Sequence, residues 1–173
     1  MLYIFSGLPG TGKSTLSAAL AAQIKAVYLR VDAVEQAMRD IGMKADGPEG
    51  YYVCYALAAQ NLRLGLDVIA DTVNPIRITR EAWRGVAASA GAPFAEIEVV
   101  CTDVCEHKQR VETRTADIPG LVLPTWEEVI NRHYEEWDRD RIKMDTAHKT
   151  AAETLTELCG QLHRYRMDEK ERI

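Results

Sequence analysis

The 173-residue chain predicts an α/β domain, with five strands in a parallel sheet and helices on both faces. Short apolar runs alternate with helix-period segments from end to end, and glycine- or proline-bearing turns separate them. The length suits one domain, residues 1–173. No internal repeat, low-complexity tract or long linker divides it.

The elements follow in order. Residues 2–5 (Leu-Tyr-Ile-Phe) form an apolar run that ends at glycines and read as a buried strand. Residues 13–25 read as a helix with Leu16, Leu20 and Ile24 on one stripe. A second strand covers 27–31 and ends at Asp32, and 33–41 is helical. Residues 42–50 hold three glycines and a proline and read as a loop. A helix over 51–64 is closed by Gly65. The third strand is 67–71, followed by an Asn-Pro loop over 72–77 and a helix over 78–90. The fourth strand spans 94–101, and a helix over 104–113 takes Asp103 as its N-cap. Residues 115–124 form a loop. Thr125-Trp-Glu-Glu128 has capping-box spacing and opens a helix expected to reach residue 139. The fifth strand is 141–146. A closing helix covers 151–166, with a charged end expected to fray.

Charge and composition narrow the possible functions. The balance of 21 Lys+Arg against 26 Asp+Glu gives a net −5, without a general pull toward nucleic acid. Cys54, Cys101, Cys105 and Cys159 are scattered and suggest no disulfide framework. The segment Cys101-Thr-Asp-Val-Cys105-Glu-His107 lacks a second ligand pair at zinc spacing, so its thiols read as packing groups. No signal peptide and no apolar run of roughly 18 residues is expected, which predicts a reducing, cytoplasmic setting. Trp83, Trp126 and Trp137 sit at helical positions and are expected to pack. His107, His133, His148 and His163 have no paired spacing and receive no chemistry.

The strongest signal is Gly7-Leu-Pro9-Gly10-Thr11-Gly12-Lys13-Ser14, followed by Thr15. It matches G-x-x-x-x-G-K-[ST] between a strand and a helix. Gly7, Gly10 and Gly12 permit the backbone angles and close approach of a phosphate cradle. Loop N–H groups and the helix N-terminus then converge on phosphate oxygens. Lys13 supplies a point charge to the β- and γ-phosphates, and the Ser14 hydroxyl is a hard ligand for Mg²⁺. ATP and Mg²⁺ are therefore the expected cofactors.

Doubly wound sheets place ligands beyond the carboxyl ends of their strands, where two aspartates lie. Asp71 is placed to hold Mg²⁺ directly or through water, or else caps the following segment. Asp32 could take the proton of an attacking hydroxyl, or cap the helix after it. Arg110 and Arg114 lie four apart on one helix that leads into the 115–124 loop. They read as arginines of a lid over about 104–125, or as partners of Glu106 and Glu112. Asn74, Arg77 and Arg80 follow Asp71 and are candidates for an acceptor pocket, though the arginines fit a surface role equally well.

With these residues in place, the chain resembles the small P-loop kinases grouped around gluconate kinase, adenylylsulfate kinase, chloramphenicol phosphotransferase and the zeta-toxin kinases. It is similar above all to a bacterial kinase branch often labelled as AAA-family ATPases. Leu29-Arg-Val-Asp32, Asp71-Thr-Val-Asn-Pro75 and Arg110-Val-Glu-Thr-Arg114 carry the likeness beside the glycine loop. The resemblance implies a P-loop three-layer sandwich of strand order 2-3-1-4-5 with a small lid. It implies Asp32 on the substrate side, Asp71 on the metal side, and Arg110 and Arg114 in the lid. No N-K-x-D guanine signature occurs, so ATP is expected over GTP. The acceptor signatures of the named enzymes are missing, and none of their substrates carries over. The expected activity is transfer of the γ-phosphate of ATP to a hydroxyl of a small sugar-, antibiotic- or nucleoside-like acceptor, by a monomer or homodimer. An ATPase switch and a nucleic-acid 5′-hydroxyl kinase are the alternatives.

Overall fold

The computed structural model describes residues 1–171, the side chains of 168–171 excepted. Strands β1 (Leu2–Ser6), β2 (Val27–Arg30), β3 (Val68–Asp71), β4 (Phe94–Val100) and β5 (Ile142–Asp145) form one parallel sheet in the order β2-β3-β1-β4-β5. This is the order that the resemblance implied. The helices are α1 (Lys13–Ile24), α2 (Val31–Asp40), α3 (Glu49–Arg63), α4 (Arg77–Ser89), α5 (Val104–Thr113), α6 (Trp126–Ile130) and α7 (Ala151–Glu171).

Strand side chains alternate between two cores. Tyr3 and Phe5 pack with Leu16 and Leu20 of α1 and Leu158 of α7. Leu2 and Ile4 pack with Cys54 and Ala58 of α3 and Trp83 of α4. A strand buried on both faces reads as a continuous apolar run, which is why β1 is plain in the sequence. All four cysteines are free thiols. Burial, helped by the charge of Glu35, pushes the Cys54 thiol up to about 11, so it acts as a packing group.

Three boundaries differ from expectation in ways that matter. β2 ends at Arg30, and α2 begins at once, with Arg30 as its N-cap residue. Asp32 therefore lies inside the first turn and does not cap the helix. There its charge still complements the helix dipole. The capping box at Thr125 and Glu128 forms, yet α6 stops at Ile130 and not at residue 139. Beyond it, main-chain groups serve other partners: the Glu135 N–H donates to the Pro75 carbonyl, and the Glu135 and Glu136 carbonyls accept from Arg80. At the other end, α7 runs past residue 166 to Glu171, and the rest of the expected frayed end, residues 172 and 173, lies outside the described residues.

Candidate active site

The glycine loop leaves β1 and enters α1 at the carboxyl edge of the sheet. The residue before α1 is Gly12, with φ 85°, so no side chain caps the first N–H groups of the helix. They open toward a cavity of about 990 Å³ lined by Pro9, Gly10, Gly12, Lys13, Ser14 and Thr15. Gly7 and Thr11 sit behind this lining. The Gly7 N–H donates to the Val73 carbonyl at 3.1 Å, and the Thr11 hydroxyl to the Leu8 carbonyl at 2.9 Å.

The back of the loop is braced by residues far away in the chain. His107 Nε2 lies 2.9 Å from the Pro9 carbonyl oxygen, a contact that requires the proton on Nε2. The Thr146 hydroxyl donates to the Thr11 carbonyl at 2.8 Å. Any Cβ at position 10 would come within 2.4 Å of Val111 Cγ2, so α5 can press on the loop only because residue 10 is glycine. The buried His107, edge-on to Trp126 with centroids 5.2 Å apart, is thus a positioning residue to which the sequence reading gave no role.

Lys13 and Asp71 meet beneath the cradle. The Lys13 ammonium donates to Asp71 Oδ1 at 2.6 Å, with side chains 7% and 0% exposed. The Tyr28 hydroxyl donates to the other carboxylate oxygen at 2.6 Å. Burial alone would push the Asp71 carboxyl up. Lys13, Tyr28 and Ser14 together outweigh that and hold it below the usual carboxylate range. Burial, and then Asp71, push the Tyr28 phenol well above its ordinary value, so it remains a donor. Lys13 is thus held in place by a fully buried carboxylate.

Asp32, Arg110 and Arg114 all line the same cavity, as does Arg30, which the sequence reading did not single out. Arg30 binds Asp117 of the 115–124 loop at 2.5 Å and lies 3.8 Å from Asp32 and 3.9 Å from Asp71. Its place at the end of β2 was the available signal. The two helix arginines differ. Arg110 is committed to Glu106 at 2.6 Å and to the hydroxyl and carbonyl of Thr146 at 2.7 and 2.9 Å. The buried Nε of Arg114 has no hydrogen-bond partner. Burial pulls the Arg114 pKa below its ordinary value; Asp32 counters this and Arg30 reinforces it.

Asn74, Arg77 and Arg80 are not brought to this cavity. Asn74 is fully buried with φ 51°, and its Nδ2 donates to Ser6 Oγ at 3.1 Å, tying the loop after β3 to the end of β1. Arg77 is exposed beside Glu81. Arg80 is fully buried, donates to the carbonyls of Asn74, Pro75, Glu135 and Glu136, and stacks 4.2 Å from the Trp137 ring centroid. It knits the segment after α6 to the base of α4.

Residues 2–132 match the family described as an AAA domain. An adenylyl-sulfate kinase from Synechococcus sp. (strain JA-3-3Ab) is 31% identical over 124 residues, covering 68% of this chain and 64% of that protein's length. A gluconokinase from Sinorhizobium meliloti 1021 superposes with a TM-score of 0.69 at 17% identity, over 98% of this chain and 95% of that one. The APS kinase of Mycobacterium tuberculosis, solved with AMPPNP and APS, does so with a TM-score of 0.63 at 17% identity, over 94% and 96%. At such identities the two structures speak for the fold. No helix among the described residues is long and apolar enough to cross a membrane.

Proposed function

The chain belongs to the AAA-domain family, and from that membership and the geometry of the cradle we propose that it is an ATP-dependent phosphotransferase acting on a hydroxyl of a small molecule. The observation that carries the reading is the buried Lys13 ammonium at the mouth of an uncapped helix, in a cavity that continues past it to a carboxylate and a guanidinium without a hydrogen-bond partner at Nε. Loop N–H groups and Lys13 bind the β- and γ-phosphates. Arg114 faces the charge that spreads over the transferred group. Asp32 orients the acceptor hydroxyl and takes its proton as the new P–O bond forms and the bond to the β–γ bridging oxygen breaks. The adenylyl-sulfate kinase, a kinase by name, supports this chemistry without identifying the acceptor.

The donor set fits Mg²⁺. The Ser14 hydroxyl and the Asp71 carboxylate are both hard oxygen groups at the base of the cradle. Ser14 would hold the ion with Asp71 behind it. Among the described residues no cluster of three His, Cys, Asp or Glu could bind a metal unaided, so phosphates and water would complete its shell. Mg²⁺ bound with ATP would supply charge neutralisation at the phosphate oxygens.

The test is a screen of hydroxyl compounds with ATP and Mg²⁺, reading phosphorylated products by mass, on wild type and Asp32→Asn. The variant is expected to keep its nucleotide affinity and lose about 10²–10⁴-fold in transfer. Full transfer by the variant would remove Asp32 from the reaction. Fast hydrolysis that no acceptor alters would favour a switch.

A further inference from the structure

A second, smaller cavity of about 270 Å³ opens beside the first, beyond the carboxyl ends of β2 and β3. Asp32, Glu35, Val73 and Arg132 line both, so it is a side pocket of the phosphate cavity. It is smaller than the cavities that hold drug-sized ligands, roughly 300–1,000 Å³, and suits a molecule of monosaccharide size.

Its walls are largely apolar, with Val31, Pro48, Val73, Pro75 and Ile76, and its few polar groups are arranged in a particular way. Glu35, on α2, is 18% exposed, and its partner Arg39 is distant at 3.5 Å and itself donates to the Ala45 carbonyl at 2.7 Å. Burial, and then the charge of Asp32, hold the Glu35 carboxyl above its ordinary value despite the long hydrogen bond from Arg39. The position of Glu35 depends on Gly50 at the start of α3: a Cβ there would lie 2.4 Å from Glu35 Cγ and 2.9 Å from Oε1. The Tyr51 hydroxyl oxygen accepts from Thr72 Oγ1 and from the Asn74 N–H, which leaves its own proton to give. Thr79 donates to the Ile76 carbonyl. Asp32 and Glu35 thus line the pocket with the exposed Arg132, while Arg30 lies 3.8 Å from Asp32 and Arg39 3.5 Å from Glu35.

We propose, on the phosphotransferase reading, that this pocket takes a non-anionic polyhydroxyl acceptor of about monosaccharide size. Glu35 accepts from one of its hydroxyl or ammonium groups, and Tyr51 donates to another. Asp32 and Glu35 disfavour a carboxylate, sulfate or phosphate placed directly against them, because like charges in a partly buried site are poorly screened.

Direct binding tests this apart from catalysis. Pools of neutral, amino- and carboxylate-bearing monosaccharides are presented to the protein with a non-hydrolysable ATP analogue and Mg²⁺, and contact is read by saturation-transfer NMR. The neutral and amino pools should bind at least tenfold better than the carboxylated pool. Glu35→Gln should shrink that preference to below threefold, and Gly50→Ala should weaken sugar binding with nucleotide affinity unchanged. Equal or better binding of the carboxylated pool, no signal from any pool, or an unchanged preference in Glu35→Gln overturns the inference. Phosphorylated product in the separate screen of hydroxyl compounds with ATP and Mg²⁺ decides the phosphotransferase reading independently.

Discussion

The cradle and the side pocket share a wall but are built in opposite ways. The cradle comes from one contiguous stretch, residues 7–15, whose backbone supplies the binding groups. Neighbours on α5 and at Thr146 brace it from behind. The side pocket is assembled from four separate segments, around residues 31–35, 47–51, 72–79 and 132, whose side chains supply the chemistry. Backbone recognition demands glycines at set spacing and leaves a motif. Side-chain recognition demands only that distant residues meet, and leaves none.

The contrast can be broken first at Lys13. Lys13→Met leaves the fully buried Asp71 without its cation and should cost about 3–5 kcal/mol of stability, measured by urea denaturation. Lys13→Met with Asp71→Asn should recover most of that and still bind no ATP. Equal stability of the single and double variants would mean that the pair does not brace the cradle.

The two helix arginines sharpen it next. Arg114, with its Nε unpaired, should act on turnover: Arg114→Ala is expected to lower kcat by about 10²–10³-fold with an unchanged Tm. Arg110, tied to Thr146 and through it to Thr11, should act on the loop. Arg110→Ala should lower Tm and nucleotide affinity together. The opposite pattern would exchange their roles.

The smallest effect is in acid. The Asp71 carboxyl is held below its ordinary value of about 3.9, so its contribution is complete above that pH and is lost as pH falls through its lower folded value. The stability difference between wild type and Asp71→Asn should be constant from pH 5 to 7 and narrow below about pH 4. A difference that widens there would contradict the assignment.

Sheet and cradle were legible because each leaves a local pattern: apolar runs, alternating periods, and glycines between a strand and a helix; the strand order was implied by the family resemblance alone. Arg80 was not. It follows Asp71 closely and suggested a pocket residue, but α4 buries Arg80, Trp83, Arg84 and Ala87 along one stripe and leaves Ile78 71% exposed. A helix that puts guanidinium inside and isoleucine outside inverts the pattern that sequence reading relies on. The extent of α6 was hidden for the same reason, since the acceptors that buried Arg80 needs are carbonyls of the segment that would have continued the helix. Glu35 and Gly50 had no signal at all, because only the approach of α3 to α2 gives either a meaning.

The central claim is that loop amides and Lys13 together hold a nucleotide triphosphate. Its most direct test is calorimetric titration of wild type and of Lys13→Met with Asp71→Asn, the variant expected to stay folded, with a non-hydrolysable ATP analogue and Mg²⁺. Saturable binding by wild type and a loss of at least 100-fold in the double variant is the predicted result. Equal affinity in both, with both folded, would contradict it.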